Sequence, residues 1–141
     1  MTAVIAGITL ADFAGPWRLD RRIEDHRAGL TGVLTGTAEW TPDAHGLVYD
    51  EVGILRYGSA PPLRATRRYL WRENAHRLVV LFEDGRHFHA FTAYEGRAEH
   101  ACPPDTYRVR YDFAAWPDWV SRWHVVGPRK DVQITSRYRR V

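Results

Sequence analysis

The chain has 141 residues, of which 45% are hydrophobic and 26% are charged, values typical of one globular domain. Its net charge of +3 is small, and acidic residues are interspersed with the basic ones, so the composition does not indicate nucleic-acid binding. No apolar run approaches the roughly 20 residues of a membrane-spanning helix, and we expect no membrane partner.

The N-terminal segment and the cysteine content both favour a cytoplasmic protein. The first residues lack a basic n-region, and Asp12 interrupts their apolar run, so they do not resemble a secretory signal. The single cysteine, Cys102, excludes an internal disulfide, which fits a reducing compartment. We expect one domain over residues 1–141, present as a monomer or homodimer.

The first predicted element is a short helix over about residues 9–14. Thr9 is a suitable N-cap, and Asp12 stands at the capping-box position three residues later. Gly15-Pro16 then ends the helix.

From residue 16 onward the sequence pattern predicts β-strands. Asp84-Gly85 predicts a hairpin turn, because this dipeptide accepts positive φ angles. The predicted strand segments are, in chain order, WRLDRRIED, GVLTGTAEWT, GLVYDEVGILRY, LRATRRYLWRE, HRLVVLFE, RHFHAFTAY, GRAEHAC, TYRVRYDF, RWHVVG and DVQITSRYRR.

This succession of strands predicts an all-β fold. No long helix is available for parallel crossovers, so we expect an antiparallel meander. Closure into an up-and-down barrel of about 8–10 strands, spanning about residues 16–141, would remove the exposed sheet edges. A barrel of this size can hold one small ligand, and the 13% aromatic content suggests either a cavity or an aromatic-rich core.

The two ends of the chain resemble those of the calycin superfamily, which includes lipocalins, fatty-acid-binding proteins and nitrobindins. Gly15-Pro16-Trp17 follows the predicted helix, and the last strand carries Arg137, Arg139 and Arg140. The resemblance implies a calycin-like barrel. It also implies that Trp17 closes one barrel end, with a terminal arginine packed over it.

A closer resemblance extends over nearly the whole chain. An ordered series of motifs is similar to a family of short bacterial and fungal proteins known only as a domain of unknown function. The resemblance implies a calycin-like barrel and a cytoplasmic protein, and it supplies no activity. The motifs are GPW at 15–17, YDEVG at 49–53, RYLW at 68–71, DGRHFH at 84–89, HACPPDTY at 100–107 and GPRKD at 127–131.

The histidines of DGRHFHAF are candidates for chemistry. Residues i and i+2 of a regular strand share a face, so His87 and His89 would point together. They could begin a metal site, with a third ligand from His100, Cys102, Asp105 or His124, but two histidines alone are a weak signal and we predict no metal. We expect His89 to face the cavity and His87 to be peripheral.

A second cluster surrounds the Pro103-Pro104 turn. We expect Tyr107 to point inward, with His100 and Asp105 nearby. Together with His89, these residues would be the catalytic groups of an enzyme, because buried His, Asp and Tyr side chains can move protons. The alternative is a structural hydrogen-bond network that ties strand ends together.

Charged residues within the strands suggest an anion site. Either Arg67, which alternates with Tyr69 and Trp71, or Arg68 is expected to face the interior, and we predict Arg68 as the ligand-binding residue. Arg21 also falls on the apolar side of its strand. A buried arginine needs a carboxylate, and Glu51 is the candidate; otherwise the arginine would bind an anionic ligand.

The loop before the last strand adds two cations, Arg129 and Lys130, of which Lys130 is the only lysine in the sequence. They could hold a phosphate or carboxylate at the barrel rim, or they could form a solvated turn. The complete predicted ligand-binding set is Arg21, Glu51, Arg68, Trp71, His89, Tyr107, His124, Arg129 and Lys130.

These features predict a barrel that binds a small anionic, partly apolar or aromatic molecule, without a cofactor. The first alternative is a small cofactor-independent enzyme of the lyase, isomerase or decarboxylase type. The second is a haem-binding, nitrobindin-like barrel with His124 or His100 as the axial ligand.

Overall fold

A computed structural model describes residues 7–141 of the chain, and it contains ten strands and one 3₁₀ helix. All ten predicted strand segments form strands. The helix spans Leu10–Phe13, and the strands are β1 Gly15–Asp25, β2 Leu30–Pro42, β3 Leu47–Tyr57, β4 Leu63–Asn74, β5 Arg77–Phe82, β6 His87–Thr92, β7 Arg97–Cys102, β8 Asp105–Asp112, β9 Trp119–Gly127 and β10 Lys130–Arg140.

The strands form one antiparallel sheet that curls into a nearly closed barrel. Its strand order is β6-β5-β4-β3-β2-β1-β10-β9-β8-β7. Strands that follow each other along the chain pair with each other, except β6 and β7, and β1 pairs with β10, so the first and last strands are neighbours inside the sheet. The two edge strands, β6 and β7, approach each other but form no backbone ladder within residues 7–141. The predicted all-β, up-and-down barrel is therefore confirmed.

Alternation along the strands places a large aromatic core inside the barrel. Trp17 and Leu19 of β1, for example, are fully buried, whereas Arg18 between them is exposed. Aromatic side chains contribute large buried areas and dominate the energetics of such cores. The buried aromatic residues are Phe13, Trp17, Trp40, Tyr49, Trp71, Phe88, Phe91, Phe113, Trp119 and Tyr138.

The 3₁₀ helix and the C-terminal strand close one end of the barrel. The backbone N–H of Thr9 donates to the Asp12 carboxylate at 2.7 Å, as the capping box predicts. Phe13 is fully buried among the aromatic side chains, and its carbonyl accepts a hydrogen bond from the Trp17 indole at 2.8 Å. The four residues of this helix form only a single tight turn, so the predicted helix is a 3₁₀ helix.

Arg140 is the terminal arginine that covers Trp17. Its guanidinium lies 3.9 Å from the centre of the indole and donates hydrogen bonds to the carbonyls of Ala14 and Asp12. The predicted cation–π contact is thus confirmed, and it attaches the end of β10 to the N-terminal helix. Lys130, at the start of β10, consequently lies at the opposite, open end of the barrel.

Within residues 7–141, no helix has both the length and the apolar character needed to cross a membrane.

Candidate functional site

The open end of the barrel contains a concave pocket of about 270 Å³, which we call the cup. Strands from both halves of the barrel supply its walls, because the inward positions of β4, β5, β6, β8, β9 and β10 converge there. The cup combines an aromatic and aliphatic surface with two cationic side chains. Its lining residues are Arg67, Tyr69, Phe82, Phe88, Tyr107, Trp123, Val125, Lys130, Val132 and Ile134.

The aromatic rings of the cup pack around Phe88, some edge to face and others stacked. The ring of Trp123 lies 5.3 Å from that of Phe88 at an interplanar angle of 82°, and the ring of Tyr107 lies 5.6 Å away at 89°. Phe82 instead stacks on Phe88 at 4.7 Å. Interlocked rings of this kind hold a fixed apolar surface, against which a planar ligand could stack.

Arg67 is the cation that lies over this surface. Its guanidinium carbon is 5.7 Å from the centre of the Trp123 ring. The cross-strand neighbour of Arg67 is Glu51, but that carboxylate is bound to Arg21. Among the described residues, no carboxylate lies within ion-pair distance of Arg67, and its fork of N–H donors is therefore open to an anion.

The expectation that Arg68 faces the cavity is wrong. Tyr69 and Trp71 point into the barrel, so alternation turns Arg67 inward and Arg68 outward. On the outer face Arg68 donates a hydrogen bond to Asp50 at 2.6 Å, and its side chain is 50% exposed.

The expectation that His87 and His89 share a face is also wrong. A β-bulge interrupts the pairing of β5 with β6: Val80 is opposite His89, and Leu81 is opposite His87. Phe88 is the extra residue in the bulge, and both Phe88 and His89 are buried while His87 is exposed. The bulge therefore brings Phe88 into the cup and separates the two histidines.

His89 does lie inside the barrel, with an exposed fraction of 1%. Its Nε2 shares a hydrogen bond of 2.8 Å with the hydroxyl of Tyr111. Burial, with smaller contributions from the charges of His87 and His100, lowers the pKa of His89 to about 3. The imidazole is consequently neutral at physiological pH, and it does not line the cup.

Arg21 and Glu51 form a buried ion pair near the centre of the barrel. The guanidinium binds the carboxylate through two hydrogen bonds, of 2.5 and 2.9 Å, and its Nε donates to Ser136 at 2.7 Å. Tyr49 donates to the same carboxylate at 2.6 Å and shares a 2.8 Å hydrogen bond with Tyr138. The structural Arg–Glu pair is confirmed, and neither residue lines the cup.

The pKa values of this pair follow from its geometry. Burial alone would raise the pKa of Glu51, but the hydrogen bond and charge of Arg21 outweigh it, so the pKa is lowered. Burial would likewise lower the pKa of Arg21, but the hydrogen bond to Glu51 and the nearby acidic groups raise it. Both groups are therefore charged at physiological pH, and their charges compensate each other.

The predicted cluster of His100, Asp105 and Tyr107 does not form one network. Tyr107 faces inward and lines the cup, as expected. His100 packs against the rings of Phe82 and Phe88 at 5.7 and 5.3 Å. On the neighbouring strand His100 is opposite Tyr107, and Asp105 lies two residues before Tyr107. Asp105 instead forms an ion pair with Lys130 at 3.3 Å.

The remaining predicted residues lie in three different environments. Lys130 lines the rim of the cup, whereas Arg129 is exposed at the tip of the β9–β10 hairpin. His124 points outward, since Trp123 and Val125 on either side face the interior, and its Nε2 hydrogen-bonds to Asp131 at 2.8 Å. The expectation that His124 faces the cavity is therefore wrong.

Trp71 is buried, but it belongs to the aromatic core at the closed end. Its ring lies 5.3 Å from that of Phe13 and 5.4 Å from that of Trp40. Trp71 therefore does not reach the cup.

Within residues 7–141, no three His, Cys, Asp or Glu side chains cluster closely enough to bind a metal ion. The separation of His87 from His89 by the bulge explains why the most suggestive pair does not begin such a site.

The cup contains residues that the sequence prediction left out. The inward position of Arg67 was predictable, because Arg67 lies on the same side of its strand as Tyr69 and Trp71. The position of Trp123 was also predictable, since it lies four residues after Trp119, on the same face of the strand, and Trp119 is buried. The inward position of Phe88 was not predictable, because a regular strand would have turned this side chain outward.

Two solved structures are similar to this barrel. An S-type phycobiliprotein lyase, CPES from Guillardia theta, aligns with a TM-score of 0.62 and 10% identity, covering 100% of this chain and 97% of that one. A protein of unknown function from the DUF3598 family of Nostoc punctiforme aligns with a TM-score of 0.59 and 8% identity, covering 95% of this chain and 49% of that one. At these identities the likeness concerns the fold alone.

No curated protein matches the sequence. The model of a family of unknown function, DUF6314, matches residues 13–140, which is nearly the whole barrel. The chain therefore belongs to the DUF6314 family.

Proposed function

We propose that the protein binds a small anionic molecule with a planar apolar part, and that the cup holds it. The observation that carries this proposal is an aromatic-walled pocket of about 270 Å³ with Arg67 and Lys130 at its rim. Ligand sites commonly combine such apolar walls with a few polar groups that fix orientation.

The dimensions of the cup define the class of ligand. Its volume lies just below the range of about 300–1,000 Å³ common for ligand pockets, so one or two fused rings suit it. The rings of Tyr69, Phe88 and Trp123 offer faces and edges for stacking.

The charges of the cup favour an anion. Arg67 presents a guanidinium that matches a carboxylate, phosphate or sulfonate with two parallel hydrogen bonds. Lys130 also lies at the rim, where its ion pair with Asp105 at 3.3 Å holds it in place and offsets much of its charge, so Arg67 is the main attraction for an anion. An anionic group bound there would keep contact with solvent while the apolar part entered the cup.

The enzyme alternative has less support from the same geometry. Of the four predicted catalytic residues, Tyr107 lines the cup, whereas His89 lies beneath it and Asp105 pairs with Lys130. The similar structure from Guillardia theta is a phycobiliprotein lyase, which indicates that this fold is compatible with catalysis. For the haem alternative, His124 is not available as an axial ligand inside the barrel, because it lies on the outer face.

Fluorescence titration with naphthalene-2-sulfonate tests the proposal, because this probe joins two fused rings to a permanent anion. We expect saturable binding that weakens about tenfold in Arg67→Gln, the loss of one charge-assisted contact worth roughly 1.4 kcal/mol. The adjacent Arg68→Gln is the matched control, since Arg68 binds Asp50 on the outer face. Absence of saturable binding, or equal effects of the two substitutions, would overturn the proposal.

A further inference from the structure

A small chamber of about 20 Å³ lies beneath the cup, near the centre of the barrel. Tyr69 and Trp123 line both spaces and therefore form the partition between them. Their rings meet at 6.2 Å and 70°. A volume of this size holds about one group the size of a water molecule.

Three side chains that line the chamber have a nitrogen without a partner. These nitrogens are Nδ1 of His89, Nε1 of Trp119 and Nε1 of Trp123, and none has a hydrogen-bond partner among the described residues. The two indole nitrogens are donors, whereas the role of Nδ1 depends on the tautomer of His89. His89 and Trp119 are almost fully buried, with exposed fractions of 1% and 2%. Buried polar atoms are nearly always paired, and an indole N–H can only donate. The two indole N–H groups therefore lack an acceptor.

The charges around the chamber determine what kind of acceptor fits. Arg21 also lines it, but Glu51 compensates the positive charge of Arg21, and the Glu51 oxygens already accept from Arg21 and Tyr49. The low pKa of His89 leaves its ring uncharged. A charged group of a ligand would therefore be buried here without a counter-charge, which is costly. A neutral carbonyl oxygen does not carry this cost.

We propose that the chamber is the deep subsite of the cup and receives a neutral carbonyl oxygen from the ligand, with Tyr69 and Trp123 moving apart to admit it. This inference rests on the proposed function of the cup. It also fixes the orientation of the ligand. The anionic end lies at Arg67 and Lys130, the planar apolar part lies in the cup, and a neutral hydrogen-bond acceptor forms the inner end.

A matched pair of probes tests this assignment. The first probe is 6-acetylnaphthalene-2-sulfonate, and the second is 6-isopropenylnaphthalene-2-sulfonate, in which a CH₂ replaces the carbonyl oxygen at nearly constant shape. By isothermal titration calorimetry we expect the acetyl probe to bind about tenfold more tightly, as one net buried hydrogen bond provides. In Trp123→Phe, which removes the indole N–H but keeps a ring, this advantage should fall to about threefold or less.

The infrared carbonyl band of the bound acetyl probe provides a second measurement that needs no variant. A carbonyl that accepts hydrogen bonds in the chamber should absorb at or below its frequency in water. A carbonyl left in the apolar cup should absorb at the higher frequency that it has in an apolar solvent.

The outcomes separate the two proposals. If both probes bind in an Arg67-dependent way, but with equal affinity and a high carbonyl frequency, the deep subsite is refuted and the cup remains. If neither probe binds, both proposals fail. If the acetyl advantage persists unchanged in a folded Trp123→Phe variant, the indole donor is not part of the subsite and the assignment is refuted.

Discussion

Arg21 and Glu51 lie 30 residues apart in sequence and meet inside the barrel, joined by two hydrogen bonds. Arg21 lies in β1 and Glu51 in β3, so the pair links strands that are separated by β2. Ser136 on β10 accepts the third hydrogen bond of the guanidinium. The pair thus connects three strands around the junction of the chain termini.

Breaking this pair should destabilise the barrel strongly. In Glu51→Gln the guanidinium of Arg21 would be buried without its counter-charge, for which we expect a loss of roughly 3–5 kcal/mol in the free energy of unfolding. Urea denaturation measures this loss directly. The double substitution Arg21→Met/Glu51→Leu should lose less than Glu51→Gln, because it removes both charges together.

The neighbouring residues Asp50 and Arg68 provide the control. They form an ion pair at 2.6 Å on the exposed outer face. Asp50→Asn should therefore change the free energy of unfolding by about 1 kcal/mol or less. Comparable losses for Asp50→Asn and Glu51→Gln would show that burial does not determine the importance of the inner pair.

His89 should make the stability of the barrel depend on pH. Its pKa is lowered from 6.5 to about 3 in the folded chain, so between these values the unfolded chain binds a proton that the folded chain does not. The free energy of unfolding should consequently decrease as pH falls below 6.5, with a slope that approaches about 1.4 kcal/mol per pH unit. Denaturation curves at pH values between about 5 and 7 measure this slope.

Two substitutions test whether His89 causes this pH dependence. His89→Gln should flatten it, since the titrating group is removed, even if the variant is less stable at every pH. His87→Gln should leave it nearly unchanged, because burial is the main cause of the low pKa of His89 and His87 itself is exposed. An unchanged slope in His89→Gln would contradict the assignment.

Arg140 should stabilise the closed end of the barrel. It covers Trp17 at 3.9 Å and donates to the carbonyls of Ala14 and Asp12. Arg140→Ala should lower the free energy of unfolding by about 1–3 kcal/mol, through loss of the cation–π contact and of two hydrogen bonds. Arg139→Ala is the control, since Arg139 lies on the surface, where it approaches Asp20 at 3.9 Å. Equal losses would contradict a specific role for Arg140.

Strand alternation explains why the fold was predictable from sequence. Trp17 and Leu19 alternate with exposed residues, and the Asp84-Gly85 turn has the positive φ angle at Gly85 that the dipeptide favours. Ten such segments with no long helix admit few arrangements other than an antiparallel barrel.

Alternation also explains which parts of the site were missed. The inward position of Arg67 followed from Tyr69 and Trp71, and the choice of Arg68 went against that pattern. The bulge at Phe88 could not be read in this way, because one extra residue reverses the alternation without any distinctive sequence. Ion-pair partners such as Asp105 and Lys130 depend on contacts between β8 and β10, which local patterns do not specify.

The most direct test of the cup is the position of a bound ligand relative to the six tryptophans of the chain. Trp123 is the tryptophan that lines the cup, while Trp17, Trp40, Trp71 and Trp119 lie in the buried core. Protein labelled with ¹⁵N at its indoles can be titrated with naphthalene-2-sulfonate and followed by two-dimensional NMR. We predict that the largest saturable shift belongs to the signal that is missing in Trp123→Phe. If that signal stays in place while another indole shifts, or if no indole responds, the ligand does not occupy the cup.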